Sequence, residues 1–458
     1  MQLVDCIFDS DCAKKIINFI NKPEPRSLTC DEALALLIEN RLTKEKYNNL
    51  RKSAIEVGHH LYPSYEKVLE AKKATYPSNI YVSETICRVP LEDLLHHTVR
   101  RLLMALNLDF SGENRQLKFI GKYGFDGTNT KSYKQKSDNP EAFCNSAFCT
   151  SFVPLQLVDQ ITNEVYWFNP RPSSTRFCRP IKISFEKETA QTARDEETDL
   201  NKQIEVLRNF QYENANISFE LHLTMIDGKV CSALNETSSL TCFVCELTIS
   251  HFNDLEKLRD IPINVNSLKY GFSILHAHIR FMELVLHVSY RLAVPKKKRQ
   301  WKMNDKTRPI IDKKKKKIQD ELRSALGITV DAPTQGSGNT NDGNTARTFF
   351  SKIDIVAKVT GFNAVLLNRF KVILAVISCQ RKINTSAFKE YCWNTAVMYT
   401  KLYEFYYMPT SVHVILIHGY QIMDHLLLPI GLLSEEAQET NNKNFKYYRQ
   451  FMSRKDTR

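Results

Sequence analysis

The sequence predicts an α/β protein in which a strand-rich segment lies between two helical segments. Apolar residues recur with helical spacing up to about residue 110. They alternate with polar residues between about 115 and 230, and helical spacing returns from about 231 to 430. The chain has 458 residues, 43% of them hydrophobic and 25% charged, which is typical of a globular protein with a large core.

Charge and the N-terminal residues indicate the class of partner and the compartment. The chain carries 63 Lys and Arg against 51 Asp and Glu, a net charge of +12 that favours polyanionic partners such as nucleic acid. MQLVDCIFDSDC has early acids and no apolar core of a signal peptide, so disulfides are not expected among the 12 cysteines. The most apolar window, VHVILIHGYQIMDHLLLPIGLL, is interrupted by His413, Asp424 and other polar residues, so no membrane partner is predicted.

The first predicted segment, residues 1–114, is a helical N-terminal region. SLTCDEALALLIENRLTKEKYNNLRKSAIEVG contains two helix patterns that join at residues 41–43, with Thr43 as the N-cap of the second. PLEDLLHHTVRRLLMAL predicts a further helix. Basic residues interleave with these patterns, so the region is either a DNA-binding or dimerisation region or a plain helical bundle.

The second predicted segment, residues 115–230, contains strands that lead to acids. In KFIGKYGFDG the alternation reaches Asp126 before Gly127, and in NISFELHLTMIDGKV it reaches Asp227 before Gly228. Asp-Gly is a common turn dipeptide, so each acid is either a turn residue or a metal ligand. Only partners from elsewhere in the chain distinguish the two interpretations.

A helix after residue 426 offers a third acid. GLLSEEAQETNNKNFKYYRQ places Glu435, Glu436 and Glu439 at or near the start of a helix. Two strand-end acids and one helix acid make the oxygen-rich site that two Mg²⁺ or Mn²⁺ ions prefer. Such ions activate a water or a 3′-hydroxyl and stabilise the leaving oxygen at phosphorus. The alternative is that all these acids are solvated.

The third predicted segment, residues 231–425, contains two pairs of metal-ligand residue types. LTCFVC places Cys242 and Cys245 in a C-x2-C, and SVHVILIH places His413 and His418 in an H-x4-H. Together they form a tetrahedral zinc set that would join the two ends of this long segment. The alternative is a pair of buried cysteines and two histidines on an apolar helix.

Two further features of the third segment suit a DNA-binding protein without proving one. The loop TQGSGNTNDGNTARTFF matches no phosphate-binding fingerprint, so it is either a phosphate-binding loop or a flexible linker. PKKKR, residues 295–299, is similar to a nuclear-import signal, and the alternative is a solvated basic surface.

Several of these stretches, taken in order, resemble a known family. They are GKYGFDGTNTKSYKQK, LTCFVC, GSGNTNDGNTARTFF, VHVILIHGYQI and GLLSEEAQETNNKNFKYYRQ. Their order resembles Transib-type DNA transposases and the related catalytic subunit of the V(D)J recombinase, over roughly residues 115–458. The resemblance implies an RNase H-like core, a mixed sheet flanked by helices, that is split by a long helical zinc-binding insertion. Residues 426–458 would then return to the core as its catalytic helix.

The resemblance also implies a role for each candidate residue. The catalytic residues, which would hold two Mg²⁺ or Mn²⁺ ions, are Asp126, Asp227 and Glu439, with Glu435 and Glu436 as alternatives to Glu439. The structural zinc ion would be held by Cys242, Cys245, His413 and His418. The residues expected to contact DNA are Asn344, Arg347, Lys443 and Lys446. A tryptophan that the V(D)J enzyme has just before its catalytic helix is replaced here by Leu432–Leu433.

The function implied is that of a DNA transposase or recombinase. It would nick double-stranded DNA at transposon ends in a metal-dependent reaction and join those ends to target DNA. Because two DNA ends must be paired, a homodimer is expected in the active state, and the nucleus is the expected compartment. The alternative is a domesticated, catalytically inactive DNA-binding protein that retains the zinc fold.

Overall fold

The computed structural model shows a chain that divides into two compact units, Met1–Ser78 and Asn79–Arg458. The residues that it describes are 26–108, 110, 112, 114–129, 146–333 and 338–449. Part of GKYGFDGTNTKSYKQK, from residue 130 onward, and residues 334–337 of the Gly-rich loop lie outside the described residues. The four segments predicted from the sequence, with boundaries at residues 114, 230 and 425, stay predictions.

The first unit contains helices α1 (Cys30–Glu39), α2 (Lys44–Glu56) and α3 (Tyr65–Ala74). The side chain of Thr43 accepts a hydrogen bond of 3.2 Å from the N–H of Lys46, so Thr43 caps α2 as predicted. A small core holds the helices together and consists of Ala33, Leu34, Tyr47 and Val68. The pair of helices expected from the sequence is therefore confirmed.

The second unit contains a mixed sheet flanked by helices, which confirms the predicted α/β class. Its strands are β1 (Tyr81–Val82), β2 (Ile86–Arg88), β3 (Arg115–Asn129), β4 (Ser146–Asp159), β5 (Val165–Phe168), β6 (Arg179–Ser184), β7 (Phe210–Tyr212) and β8 (Ala215–Leu223). The strand order is β1-β2-β6-β4-β3-β8-β7, and β5 pairs with β4 outside this path.

The strand β3 lies in the middle of the sheet and sets the position of the acids. It pairs antiparallel with β4 and parallel with β8. The pairing of β3 with β8 ends with Tyr123 opposite Leu223. Parallel strands reach the same edge of a sheet with their carboxyl ends. The segments that carry Asp126 and Asp227 therefore leave the β3–β8 pair side by side.

The remaining elements of this unit are helical. The helix α4 (Leu91–Leu106) precedes β3, and α5 (Ala190–Glu205) connects β6 to β7. After β8 come α6 (Gly228–Leu234), α7 (Leu255–Leu258), α8 (Ile274–Arg291), α9 (Arg308–Leu326), α10 (Gly343–Ser351), α11 (Ile353–Thr360), α12 (Ala364–Ile377), α13 (Thr385–Tyr403), α14 (Thr410–His413), α15 (Gly419–His425) and α16 (Glu436–Tyr447). The helix α8 buries most of its surface, because α10, α11, α12 and α14 pack around it together with α9.

Lys122 alternates in the sequence with the apolar residues of β3, and the structure buries it together with them. Its side chain is fully buried, and its Nζ donates hydrogen bonds to the carbonyl oxygens of Leu432 (2.9 Å) and Ser434 (2.6 Å). Burial lowers the pKa of Lys122 to about 7. Lys122 thus connects the central strand to the residues that precede α16.

Among the described residues, no single helix is long and apolar enough to cross a membrane. The bent pair Thr410–His425 and Ile430–Tyr447, whose axes meet at 86°, passes the same test by length and composition only.

Candidate catalytic site and metal centre

Asp126 lies within β3 and is not a turn residue, because the strand continues to Asn129. The side-chain amide of Asn442 on α16 donates a hydrogen bond of 2.6 Å to its Oδ2. Burial raises the pKa of Asp126 well above its usual value, and the nearby carboxylates of Glu439, Asp227 and Glu188 raise it further. The two other acids predicted for this site therefore lie close enough to Asp126 to interact with its charge.

Asp227 follows β8 after a short extension that the sequence pattern counted as strand. The strand ends at Leu223, and the N–H groups of Thr224 and Met225 then both donate to the carbonyl oxygen of Tyr123, at 3.2 and 3.1 Å. Asp227 is the N-cap of α6, where its Oδ1 accepts a hydrogen bond of 2.7 Å from the N–H of Val230. This cap uses one carboxylate oxygen of Asp227.

Gly124 explains how closely the two acid-bearing segments approach. A Cβ atom at this position would lie 2.1 Å from the carbonyl oxygen of Met225, a distance that real contacts do not show. Gly124 and Met225 each lie two residues before one of the acids, Asp126 and Asp227. The absence of a side chain at Gly124 therefore lets the backbones meet where the acids begin.

Of the three glutamates considered on the final helix, Glu439 is the one whose charge acts on Asp126. Glu435 is buried and accepts hydrogen bonds from the N–H groups of Ile274 (3.1 Å) and Leu275 (3.0 Å). It thereby satisfies the N-terminus of α8 and has a structural role. The helix α16 carries Glu439 about one turn after Glu435.

Glu436 is also occupied elsewhere, because it forms an ion pair with Arg347 of α10. Arg347 was predicted to contact DNA, and in this structure its guanidinium meets a carboxylate of the chain itself. The two alternatives to Glu439, Glu435 and Glu436, thus both contact helices that precede α16: Glu435 contacts α8, and Glu436 contacts α10. This arrangement leaves Glu439 as the stronger candidate for the site.

Glu188 is a fourth carboxylate at this site that the sequence interpretation missed. Its Oε2 accepts a hydrogen bond of 2.8 Å from the N–H of Gly127, and its Oε1 accepts one of 2.7 Å from Nζ of Lys229. A Cβ on Gly127 would lie 2.6 Å from Oε2 of Glu188, so the glycine is needed for this approach. The signal that could have found Glu188 is an acid shortly after the end of β6, the same pattern that singled out Asp126.

His276 on α8 adds a group that can carry positive charge beside these acids. Burial is the largest single effect on the pKa of His276 and lowers it, but the hydrogen bond and the charge of the Glu435 carboxylate act in the opposite direction, and the net pKa is raised. Asp227 and Glu439 raise the pKa of His276 as well. The imidazole Nδ1 lies 2.8 Å from Oγ of Ser273 and 3.6 Å from a carboxylate oxygen of Glu435.

The carboxylates do not form a compact single-ion site. Among the described residues, the cysteines and histidines form a group whose ligand atoms all lie within 4.8 Å of one another. The acids do not belong to such a group. A two-ion site needs a wider spacing, since its ions lie about 3.5–4 Å apart. The oxygen donors present are those that Mg²⁺ and Mn²⁺ prefer.

Cys242, Cys245, His413 and His418 converge on one point and are all buried. The Sγ of Cys245 lies 3.4 Å from Nε2 of His413. Burial lowers the pKa of His413 to about 4, which keeps its ring neutral and able to bind a metal. This group can hold a metal ion, and its two sulfurs and two nitrogens are the donor set of a structural zinc site.

The tautomer of His418 supports this interpretation. Its Nδ1 donates a hydrogen bond of 2.9 Å to Oε1 of Gln421, and its Nε2 is buried and has no hydrogen-bond partner in the part of the chain that the structure describes. A buried nitrogen without a partner is costly, and a metal ion would use its lone pair. The hydrogen bond to Gln421 fixes the His418 ring in the orientation that metal binding through Nε2 needs.

A π-helical turn, Val414–His418, brings the two histidines to the same side of the chain. Residues five apart lie on different faces of an α-helix, which has 3.6 residues per turn. The wider π-turn changes this spacing so that the rings of His413 and His418 lie 5.2 Å apart. The H-x4-H spacing therefore depends on a local departure from α-helical geometry.

The remaining DNA-contact candidates are exposed. Asn344 lies on α10 with Arg347, and Lys443 and Lys446 lie on α16 with Glu439. Their exposure leaves Asn344, Lys443 and Lys446 accessible to a polyanion, and their contact with DNA stays a prediction.

Comparisons with known proteins give little further information. No protein-family model matches the chain, and no curated protein matches it. One solved structure, described as "Drosophila P element transposase strand transfer complex", aligns with this chain at 10% sequence identity and a TM-score of 0.33. The alignment covers 97% of this chain and 98% of that chain. A likeness this distant carries no argument about fold or function. The resemblance to Transib-type transposases rests on the sequence motifs.

Proposed function

We propose that this chain is a DDE-type DNA transposase or recombinase that nicks DNA and transfers strands with two Mg²⁺ or Mn²⁺ ions. The observation that carries the proposal is the environment of Asp126, a half-buried carboxylate on which the charges of Asp227, Glu439 and Glu188 act together. Solvated turn and helix acids would have no reason to meet, because they come from separate parts of the sequence. Clustered carboxylates are unfavourable without a cation, so a cation is expected to bind among them.

The cations would be held by Asp126, Asp227 and Glu439. When bound, such ions lower the pKa of a water or 3′-hydroxyl and stabilise the leaving oxygen at phosphorus. The chain itself supplies the alignment of these ligands. Asn442 orients Asp126, the α6 cap orients Asp227, and Glu188 binds the backbone next to Asp126 through Gly127.

The order of strands supports an RNase H-like core as the second part of the proposal. The strand β4 is antiparallel to both of its neighbours, β6 and β3, β8 is parallel to β3, and α5 precedes β7 and β8. In the sequence, the helical residues 231–425 come between β8 and α16, as an insertion would, whereas in the fold α16 packs against β3 and β4. We propose that zinc bound by the cysteines and histidines holds the two ends of the insertion together, and that the protein acts on double-stranded DNA as a homodimer in the nucleus.

A metal-dependent cleavage assay tests the proposed function. Supercoiled plasmid is incubated with the purified protein and Mn²⁺ or Mg²⁺, and the nicked fraction is measured over time. Asp126→Asn, Asp227→Asn and Glu439→Gln should each reduce the nicking rate at least about 100-fold, because each removes a ligand of the metal ions that stabilise the transition state. Glu188→Gln should reduce the rate about 10- to 100-fold, as expected of a residue that orients the ligands.

The matched control is Asp320→Asn, which changes an exposed acid on α9 in the same way. It should nick DNA at the wild-type rate, and all variants should bind DNA with unchanged affinity. Full activity of any one triad variant would remove that residue from the site. Tight DNA binding without cleavage by the wild-type protein would favour the second candidate, an inactive transposon-derived DNA-binding protein.

A further inference from the structure

Two buried amide side chains of α16, Gln438 and Asn442, lie four residues apart, with Glu439 between them in the sequence. Residues at this spacing face the same side of an α-helix. Gln438 is 1% exposed and Asn442 is 3% exposed, so both amides need hydrogen-bond partners within the protein. Their partners connect α16 to the strands β3 and β4.

Three hydrogen bonds form a relay from β4 through α16 to β3. Nε2 of Gln438 donates to the carbonyl oxygen of Cys149 on β4 at 3.1 Å and to Oδ1 of Asn442 at 3.3 Å. Nδ2 of Asn442 donates to Oδ2 of Asp126 on β3 at 2.6 Å. Cys149 lies opposite Asp126 in the register of β3 and β4, so the relay begins and ends at one pair of residues in the sheet.

The carbonyl group of Cys149 determines the direction of every hydrogen bond in this relay. A backbone carbonyl can only accept, so the NH₂ end of the Gln438 amide must face it. The same NH₂ group faces Asn442, whose side chain can accept only through Oδ1. Nδ2 of Asn442 is thereby turned toward Asp126, and an N–H donor is the group that stabilises a charged carboxylate.

The oxygen atom of the Gln438 amide shows that packing alone does not explain this residue. Its Oε1 is buried and has no hydrogen-bond partner among the residues that the structure describes. A buried polar atom without a partner is unfavourable, and a methionine of similar volume would avoid it. What methionine would lack is the N–H donor that faces Asn442.

We propose that Gln438 is a positioning residue of the candidate catalytic site, which acts on Asp126 through Asn442. Gln438 holds the Asn442 amide in one orientation, so that Oδ2 of Asp126 is occupied by Nδ2 of Asn442 and Oδ1 is left for the metal ion. Gln438 does not itself bind the ion. The effect of Gln438 on metal binding rests on the proposed function, whereas its effect on the Asn442 amide does not.

Mn²⁺ binding to the DNA-free protein tests the effect on the metal site, with free Mn²⁺ measured by electron paramagnetic resonance. Asn442→Leu should raise the Kd for Mn²⁺ about 10- to 100-fold, as expected when a group that orients a metal ligand is lost. Gln438→Met should raise it about 10-fold, and its nicking rate should recover as the Mn²⁺ concentration is raised. The double variant should bind Mn²⁺ no more weakly than Asn442→Leu alone, because Gln438 acts through Asn442.

The matched control is Asn441→Leu, which changes a buried amide of the same helix that donates to Sγ of Cys178. It should keep the wild-type Kd for Mn²⁺. Gln438→Met should unfold within about 4 °C of the wild type, because it loses a hydrogen bond but also an unsatisfied oxygen. Weaker Mn²⁺ binding at nearly unchanged stability is a result that a merely structural role of Gln438 would not give.

Hydrogen exchange of the Asn442 side-chain amide tests its orientation without added Mn²⁺, by NMR of protein labelled at the asparagine side-chain nitrogens. The signal is assigned by its absence in Asn442→Leu. Gln438→Met should speed this exchange about 2- to 10-fold, the effect of one lost hydrogen bond.

Three results would overturn the role of Gln438: unchanged exchange at Asn442, a wild-type Kd in Gln438→Met, or effects of Gln438→Met and Asn442→Leu that add in the double variant. A wild-type protein that binds no Mn²⁺ at the acids would instead contradict the proposed function. In that case faster exchange at Asn442 in Gln438→Met would still support the role of Gln438.

Discussion

Asp126 is the residue around which the candidate site is arranged. Its position before Gly127 suggested either a turn or a metal ligand, and β3 continues past it to Asn129, so the turn is excluded. The sequence could predict Asp126 and Asp227 because strand alternation leads to each of them. Its one signal for Glu188 was an acid shortly after β6, and the hydrogen bond between Glu188 and Gly127 became visible only in the fold.

Lys122 is buried although it alternates with the apolar residues of β3, and the reason is physical. A strand in the middle of a sheet with elements on both faces has no solvated side, so its polar positions are buried with the rest. Lys122 remains compatible with burial because the carbonyl oxygens of Leu432 and Ser434 accept its hydrogen bonds. The pattern of one strand contains no information about what covers its second face.

A pH-dependent stability follows from this burial. The pKa of Lys122 falls from 10.5 to about 7 in the folded protein, so between these values the unfolded state binds more protons. Stability therefore rises with pH across this window, and it is lost as the pH falls toward 7. Lys122→Met should flatten the slope of unfolding free energy against pH between about 7 and 10, by up to about 1.4 kcal/mol per pH unit.

Urea unfolding at a series of pH values measures this slope. Lys401→Met, which changes an exposed lysine on α13, is the matched control and should keep the wild-type slope. An unchanged slope in Lys122→Met would mean that Lys122 is not titrating in this window.

At the scale of elements, the π-turn before α15 shows the limit of spacing rules. H-x4-H suggested a zinc pair together with C-x2-C, and the four side chains do converge. The sequence could not show how His413 and His418 come to face the same point, since a regular helix would separate them. The close approach at Gly124 is similar, because only the folded sheet shows that Met225 lies against it.

Metal content tests the role of this Cys and His group. The purified protein should contain one zinc ion per chain, measured by mass spectrometry of the metal. Cys242→Ser or His418→Ala should lose the zinc and unfold at a lower temperature, because binding energy of a structural zinc is also folding energy. Cys392→Ser removes a buried cysteine of α13 outside the group and should keep the zinc. Well-folded wild-type protein without zinc would contradict the assignment.

At the scale of the whole molecule, the net charge of +12 agrees with a polyanionic partner but does not locate its surface. The exposed lysines of α16, Lys443 and Lys446, lie on the helix that carries Glu439. Arg347 is different, because it is paired with Glu436 and would have to exchange this carboxylate for a phosphate. The sequence indicated the class of partner, whereas the ion pair became visible only in the fold.

Salt-dependent binding tests this surface. Lys443→Glu with Lys446→Glu should weaken binding of double-stranded DNA and lower the slope of log K against log salt by about 2, roughly 0.9 for each lost phosphate contact. Lys371→Glu with Lys401→Glu, a matched pair of exposed lysines on α12 and α13, should change both quantities less. The same affinity and slope in both double variants would mean that the α16 lysines face away from DNA.

Anomalous diffraction from crystals soaked in Mn²⁺ tests the central claim most directly. The account predicts two peaks about 3.5–4 Å apart among Asp126, Asp227 and Glu439. Both peaks should disappear in Asp126→Asn, while scattering at the Cys and His group is unaffected. A map with no Mn²⁺ peak near Asp126 in the wild-type protein, or with peaks that persist in Asp126→Asn, would contradict the assignment of these acids as the catalytic metal ligands.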